Sequence, residues 1–250
     1  TCTAEGSYDN VVRCTVCNEI LSTEHMVIPA LGHIDEDANE ICDVCDKNLA
    51  TSLKAELESI LNSSDSMTEE EIRDKVQNVD TDKLKDAMQD DQTVVDNIAA
   101  LEEKMSGNVV VEVTENVTDF KPHHISAIGA NLNDRVVESD DIKLTVDAPK
   151  TQHELEDDYD GTSTVQFSLA LENVVNSHDL AIPVVVTMRI PNHIKADLLV
   201  IQQYSGDKLV AQLTSDNGVQ ITYKNERYYA TFVVDSFPAD FVMTQYIETI

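Results

Sequence analysis

Apolar residues in the middle of the chain recur at helical spacing. Leu53, Leu57, Ile60 and Leu61 form one stripe that ends at the polar stretch Asn62-Ser63-Ser64-Asp65-Ser66, which predicts an amphipathic helix and its stop. Thr68 followed three residues later by Glu71 predicts a capping box at the start of a second helix, with Ile72, Val76 and Val79 on its buried face. Leu84, Ala87 and Met88 predict a third short helix. Val94, Ile98, Leu101 and Met105 predict a fourth, closed by Ser106-Gly107. From Asn108 the period changes to two. Val109, Val111 and Val113 alternate with their neighbours, as do Ile142, Leu144 and Val146, then Val165, Phe167, Leu169 and Leu171, then Val184, Val186, Met188 and Ile190. Further strand-like segments surround Leu198 to Gln203, Leu209 to Leu213, Val219 to Tyr223, Tyr228 to Val234 and Phe241 to Met243, separated by polar and glycine-bearing turns. Short strands with frequent turns and no intervening helix predict an antiparallel β-sandwich rather than a parallel α/β sheet.

The first 49 residues lack sustained periodicity and are turn-rich. The expected class is therefore α+β and multidomain: a Cys-rich module over 1–49, a helical segment over 50–107 and an antiparallel β-sandwich over 108–250. A hydrophobic content of 42% in 250 residues is enough to bury a core. The charge is strongly one-sided, since 47 acidic and 17 basic residues leave a formal net charge of −30. Such a field repels phosphate backbones and anionic lipid and argues against nucleic acid as a partner. No apolar run approaches the roughly 20 residues that span a bilayer. The first residue is Thr rather than Met and falls inside a repeat-like unit, so the sequence is expected to be an excised piece of a longer polypeptide.

All 5 cysteines lie in the Cys-rich module, as Cys2, the pair Cys14-Thr-Val-Cys17 and the pair Cys42-Asp-Val-Cys45, with His33 between the pairs. Two C-x-x-C knuckles suit a structural zinc ion better than a disulfide framework, because close-spaced thiolates from two turns can converge tetrahedrally, and a small module needs such a staple. Two ligand sets compete. Cys14, Cys17, Cys42 and Cys45 would give the preferred four-thiolate site, although the 24 residues between the knuckles exceed the usual spacer of about 15 to 20. Cys2, Cys14, Cys17 and His33 would give a Cys3His site and leave the second knuckle to another metal or a neighbouring repeat. Either set is closed, which predicts a structural ion and not a catalytic one, since a catalytic zinc keeps an open position for water. His25 is expected to be a surface residue.

Calcium is a weaker expectation. Asp35, Asp37, Asn39, Ile41, Asp43 and Asp46 fall at positions 1, 3, 5, 7, 9 and 12 of a calcium-loop pattern, but Glu40 replaces the turn glycine and Asp46 the bidentate Glu. The acidic run Glu154-Leu-Glu-Asp-Asp-Tyr-Asp160-Gly161 is a second place where calcium could bind.

Thr1-Cys-Thr-Ala-Glu-Gly6, Cys14-Thr-Val-Cys17, Ile28-Pro-Ala-Leu-Gly-His33 and Ile41-Cys-Asp-Val-Cys-Asp-Lys47 together resemble the cysteine-containing, zinc-ribbon-like repeat of large surface proteins from gut Clostridia and related Firmicutes. In that family the second knuckle usually ends in Gly and is preceded by an Asp-Gly pair, where this chain has Asp46 and Glu40. The segments Asp90 to Glu102, Ile128 to Asn133, Ile182 to Pro191 and Val234 to Phe241 are similar to the helix-plus-sandwich part of such proteins. The resemblance implies a bacterial cell-surface or secreted setting, a spacer, display or adhesion role, and partners among other modules or surface proteins. It brings no catalytic residues.

Nothing else in the chain suggests an enzyme. There is no Gly-rich phosphate loop, no G-x-S-x-G and no H-E-x-x-H. His123 and His124 adjoin each other after Pro122, and on an extended segment they would point to opposite sides, as in a solvated loop. The expectation is a non-catalytic structural or interaction module. The alternative is a carbohydrate-binding module of a secreted glycan-degrading protein. It is disfavoured by the absence of Trp and an aromatic content of 5%, but Tyr204, Tyr223, Tyr228, Tyr229 and Tyr246 cluster late in the chain, where an exposed ring could stack on a sugar.

Overall fold

The Leu53 stripe lies on helix α1 (Thr51–Ser63), which buries Leu53, Leu57 and Ile60 and ends in a short 3-10 turn at Ser64–Ser66. The computed structural model describes residues 2, 5–30, 32–46, 49–137 and 140–247. Thr1, Thr3, Ala4, Leu31 and Lys47 of the repeat-like motifs lie outside these residues. Two compact units are present, residues 1–52 and 53–250, so the helical stretch shares one unit with the sheets that follow it.

In the larger unit, α2 (Glu69–Gln77) opens with the capping box that the sequence predicts. The Glu71 N–H donates to Thr68 Oγ1 at 3.3 Å, and the Thr68 N–H donates to Glu71 Oε2 at 2.8 Å. Helix α3 (Thr81–Asp90) is capped by Asp80 and buries Leu84, Ala87 and Met88; α4 (Gln92–Glu102) is capped by Asp91 and buries Val94, Val95, Ile98 and Leu101. The last helix stops at Glu102, short of the Ser106-Gly107 signal, and Met105 is buried in the turns that follow.

The period-two segments form strands at the expected places: β3 (Val109–Val113), β5 (Ile142–Asp147), β6 (Val165–Glu172), β7 (Val184–Arg189), β8 (Leu199–Ser205), β9 (Lys208–Thr214), β10 (Gln220–Lys224), β11 (Arg227–Val234) and β12 (Ala239–Gln245). A short additional strand, β4 (Ile125–Ile128), pairs with β7. Six strands form one sheet in the order β3-β5-β6-β12-β8-β9, and four form another in the order β10-β11-β7-β4. The larger sheet is mixed rather than wholly antiparallel. β3 runs parallel to β5, because the chain leaves the sheet after β3, contributes β4 to the other sheet and returns in the same direction.

Side chains of both sheets meet in one core. Phe241 of β12 lies at a ring-centroid distance of 5.4 Å from Phe232 of β11 and 5.5 Å from Phe167 of β6. The helices are tied to the sheet-forming part by polar contacts. Lys85 pairs with Asp235, Gln89 O accepts from Gln220 Nε2 at 2.7 Å, and Gln77 Nε2 donates to Leu132 O at 3.0 Å. The Glu102 carboxylate accepts the N–H groups of Gly129 at 3.0 Å and Asn131 at 2.7 Å, and burial raises its pKa despite those two bonds. Gly129 sits at φ +95°, and a Cβ there would come within 2.7 Å of the Pro183 carbonyl oxygen, so the position requires glycine.

The smaller unit is built differently. β1 (Gly6–Arg13) and β2 (Ile20–Ile28) form an antiparallel hairpin whose every residue is exposed. Among its described residues the buried apolar side chains are Cys2, Cys42 and Ala50. A two-stranded hairpin is marginal in water without a face to bury. The hydrophobic effect therefore does little to hold this unit together, and its two most buried thiols belong to the cluster described next.

Candidate metal centre

Cys2, His33, Cys42 and Cys45 converge, each offering one donor atom, with all four donors within 4.8 Å of one another. Cys2 Sγ lies 3.7 Å from Cys42 Sγ, and Cys45 Sγ lies 3.4 Å from His33 Nδ1. Tetrahedral zinc with thiolate bonds of about 2.3 Å separates its sulfurs by about 3.8 Å, so this donor set fits one zinc-like ion. Local backbone bonds bring the donors together. The Gly32 N–H donates to Cys2 O at 2.9 Å, which places His33 beside Cys2 at the base of the hairpin. The Asp43 N–H donates to Ile34 O at 2.8 Å, which lays the second knuckle against the His33 segment.

The knuckle itself is a tight turn. The Asp46 N–H donates to Cys42 O at 2.9 Å, and Asp46 adopts φ +56°. Burial pushes the Cys2 thiol up to about 11. Burial also acts to raise Cys42, but the N–H groups of Val44 and Ile34, then His33 and the Cys45 N–H, outweigh it and bring that thiol down to about 6. The site thus holds one ready thiolate beside a thiol that a metal must deprotonate.

This set takes two members from each ligand set that spacing suggested, Cys42 and Cys45 from one and Cys2 and His33 from the other. Cys14 and Cys17 stand apart, because the eight residues of β1, at about 3.4 Å of rise each, carry them roughly 25 Å along the hairpin from its base. Neither the four-thiolate set nor the Cys2-Cys14-Cys17-His33 set is assembled in one place. The β-prone runs flanking the first knuckle, with Tyr8, Val11 and Val12 before it and Ile20, Met26, Val27 and Ile28 after it, were the available signal for a long hairpin.

The acidic loop does not gather a metal-ligand group of its own among the described residues. Asp35 accepts the N–H groups of Asn39 at 3.1 Å and Glu40 at 3.0 Å, Asn39 Oδ1 accepts from the Ile41 N–H at 2.7 Å, and Asp43 Oδ2 accepts from the Glu36 N–H at 2.8 Å. These are turn-forming contacts. In the later acidic run, Asp160 accepts from Thr162 N and Oγ1 at 2.9 and 2.6 Å and from Gln245 Nε2 at 3.3 Å, which closes a turn against β12. His25 is exposed on β2 with Nδ1 2.8 Å from Asp9 Oδ1. His123 and His124 lie on a 3-10 turn, not an extended segment, so their rings touch edge to face at 4.4 Å. Burial and the neighbouring Arg189 keep His124 below the usual imidazole range.

The late tyrosines separate into different environments. Tyr204 is buried and stacked on His153 at 3.8 Å, and Tyr246 stacks on Tyr159 at 5.4 Å. Tyr223 and Tyr228 are exposed, 4.8 Å apart, and line an open groove of about 900 Å³ together with Ile190, Pro191, Asn192 and Arg227. No helix among the described residues is long and apolar enough to cross a membrane. The chain matches no protein-family model, and neither a curated protein nor a solved structure matches it significantly.

Proposed function

We propose that the chain is a non-catalytic structural module of a bacterial surface or secreted protein, in which a zinc-stapled repeat and a helix-backed β-sandwich serve as spacer, display or adhesion elements. The observation that carries this is the contrast between the units. The smaller one has three buried apolar side chains among its described residues, and two of those are members of the Cys2-His33-Cys42-Cys45 set. Four protein donors fill a tetrahedral zinc completely, leaving no position for a substrate or an activated water, so the ion's role is to fold the repeat. Phe167, Phe232 and Phe241, drawn from both sheets of the larger unit, share one core, which supports the sandwich reading. A formal charge of −30 suits a solvated, repulsive spacer and disfavours polyanionic partners. The repeat-like motifs supply the surface setting.

The test is native mass spectrometry of protein purified under reducing conditions without chelator. One zinc per chain is expected in the parent and none in Cys42→Ser, whose hairpin amides also lose hydrogen-exchange protection while those of the larger unit keep theirs. A metal-free parent with an equally protected hairpin, or zinc unaffected by Cys42→Ser, contradicts the proposal. A non-catalytic role fails if a glycosidase or peptidase panel finds turnover abolished by one named substitution.

A carbohydrate-binding role is the second reading, favoured by one feature. Tyr223 and Tyr228 present exposed rings beside Asn192 and Arg227 in the groove, and ring faces with adjacent polar groups are what pyranose recognition needs. Glycan-array hits lost in Tyr223→Ala or Tyr228→Ala would establish it, and an array without such hits would remove it.

A further inference from the structure

The knuckle at the hairpin tip repeats the geometry of the knuckle in the metal centre. The Asn18 N–H donates to Cys14 O at 2.9 Å, as the Asp46 N–H does to Cys42 O at the same distance, and Asn18 has φ +60° against +56° for Asp46. Around the sulfurs the parallel continues. Backbone N–H groups of Cys17 and Val16 and the Cys17 side chain hold the Cys14 pKa below its usual value, as the N–H groups of Val44 and Cys45 help to do for Cys42. Cys14 and Cys17 thus sit on the same kind of turn as Cys42 and Cys45, a clip of two sulfur donors.

Among the described residues the clip has no complement within the chain. The cluster at the base of the hairpin already has four donors, and among the described residues no group of three or more metal-ligating side chains includes Cys14 or Cys17. Glu19 reaches only one of the pair, with Oε2 3.8 Å from Cys17 Sγ. The surroundings of the clip are exposed and apolar. Val12, Val16, Ile20 and Leu21 flank the clip with relative exposures of 50, 93, 54 and 65%, an apolar collar in a chain otherwise dominated by acidic groups. A tetrahedron of four sulfurs has two-fold axes, so two copies of one clip related by a two-fold rotation complete it with no other ligand. The same rotation brings the two apolar collars together.

We propose that Cys14 and Cys17 are a half-site for a second zinc ion, completed by Cys14 and Cys17 of a second copy of the chain in a tip-to-tip dimer. This rests on the assignment of the first ion to Cys2, His33, Cys42 and Cys45. Because each chain carries a formal −30, the dimer is expected to tighten as salt screens the repulsion, the reverse of an association driven by opposite charges.

The experiment is a zinc titration of the full chain in a non-thiol reductant, followed by native mass spectrometry and light scattering. Three proteins are compared: the parent, a Cys14→Ser/Cys17→Ser double variant, and Cys42→Ser. The parent is expected to pass from a monomer with one zinc to a dimer with three. The double variant is expected to keep one zinc and remain monomeric at every zinc concentration. A parent that stays monomeric with one or two zinc ions overturns the proposal, as does a double variant that dimerises like the parent, or a tip whose mass shows loss of two hydrogens and no added metal. The assignment of the first ion is read separately, by whether Cys42→Ser loses the zinc that the double variant retains.

Discussion

Phe241→Ala tests both the shared core of the two sheets and the independence of the two units. Phe241 is fully buried on β12, stacked on Phe167 and tilted against Phe232 of the other sheet. Removing such a ring costs the transfer energy of the lost atoms plus the cavity left behind, about 3–5 kcal/mol for Phe→Ala. Phe241→Leu keeps most of the volume but removes both ring contacts, which at about 0.5–1.5 kcal/mol each predicts a loss of about 1–3 kcal/mol. Urea denaturation followed by far-ultraviolet circular dichroism is the assay, with the slope held constant so that the midpoint reports stability. Against a total of about 5–15 kcal/mol, the alanine variant loses a large fraction of the larger unit's stability. Zinc content and hydrogen-exchange protection of the β1-β2 hairpin are predicted to stay unchanged, because the hairpin belongs to the other unit. A loss below about 1 kcal/mol for Phe241→Ala would refute a core shared by both sheets. Release of zinc in step with the destabilisation would refute the independence of the units.

Other outcomes follow from the same physics. Gly129→Ala forces a Cβ against the Pro183 carbonyl at a positive φ and is expected to cost more than about 1 kcal/mol, a fall in Tm of at least about 2–4 °C. Thr68→Ala removes half of the capping box and is expected to cost about 1 kcal/mol near neutral pH. The Glu71 carboxyl is held below its usual range chiefly by the Thr68 N–H, then by the Thr68 hydroxyl. Its contribution is therefore complete above the ordinary Glu range and lost as pH falls through the lowered value. Accordingly, the stability gap between the parent and Thr68→Ala should shrink on acidification in paired urea titrations. Asp46→Gly relieves a left-handed backbone position beside the metal centre and is expected to hold zinc several-fold more tightly, by about 1 kcal/mol, in a competition with a chromogenic chelator.

The larger unit was legible because burial leaves a pattern in the sequence. Leu53 to Ile60, the Thr68/Glu71 box and the alternating apolar residues of β3, β5 and β7 are residues whose spacing reflects a buried face, and each lies on the element its spacing predicts. β4 escaped notice because four residues are too few for a period to stand out. The parallel pairing of β3 with β5 depends on the path between them, which alternation does not encode. The hairpin of the smaller unit left no alternation because neither of its faces is buried, so β1 and β2 resembled turn-rich sequence. The metal centre was half legible for the same reason. Residue types and the closed character of a thiolate-rich set could be read from the C-x-x-C pairs, but which knuckle joins Cys2 and His33 depends on hairpin length. A hairpin that carries Cys14 and Cys17 to its far end leaves Cys42 and Cys45 as the second pair at its base. Glu40 and Asp46 occupy φ +66° and +56°, left-handed backbone positions that glycine adopts at less cost.

The most direct test of the central claim is zinc K-edge X-ray absorption on the Cys14→Ser/Cys17→Ser variant loaded with a single zinc. Coordination by Cys2, His33, Cys42 and Cys45 predicts three sulfur scatterers at about 2.3 Å and one nitrogen at about 2.0–2.1 Å, with the imidazole ring's outer shells visible. An all-sulfur shell, or a variant unable to hold zinc at all, would contradict it.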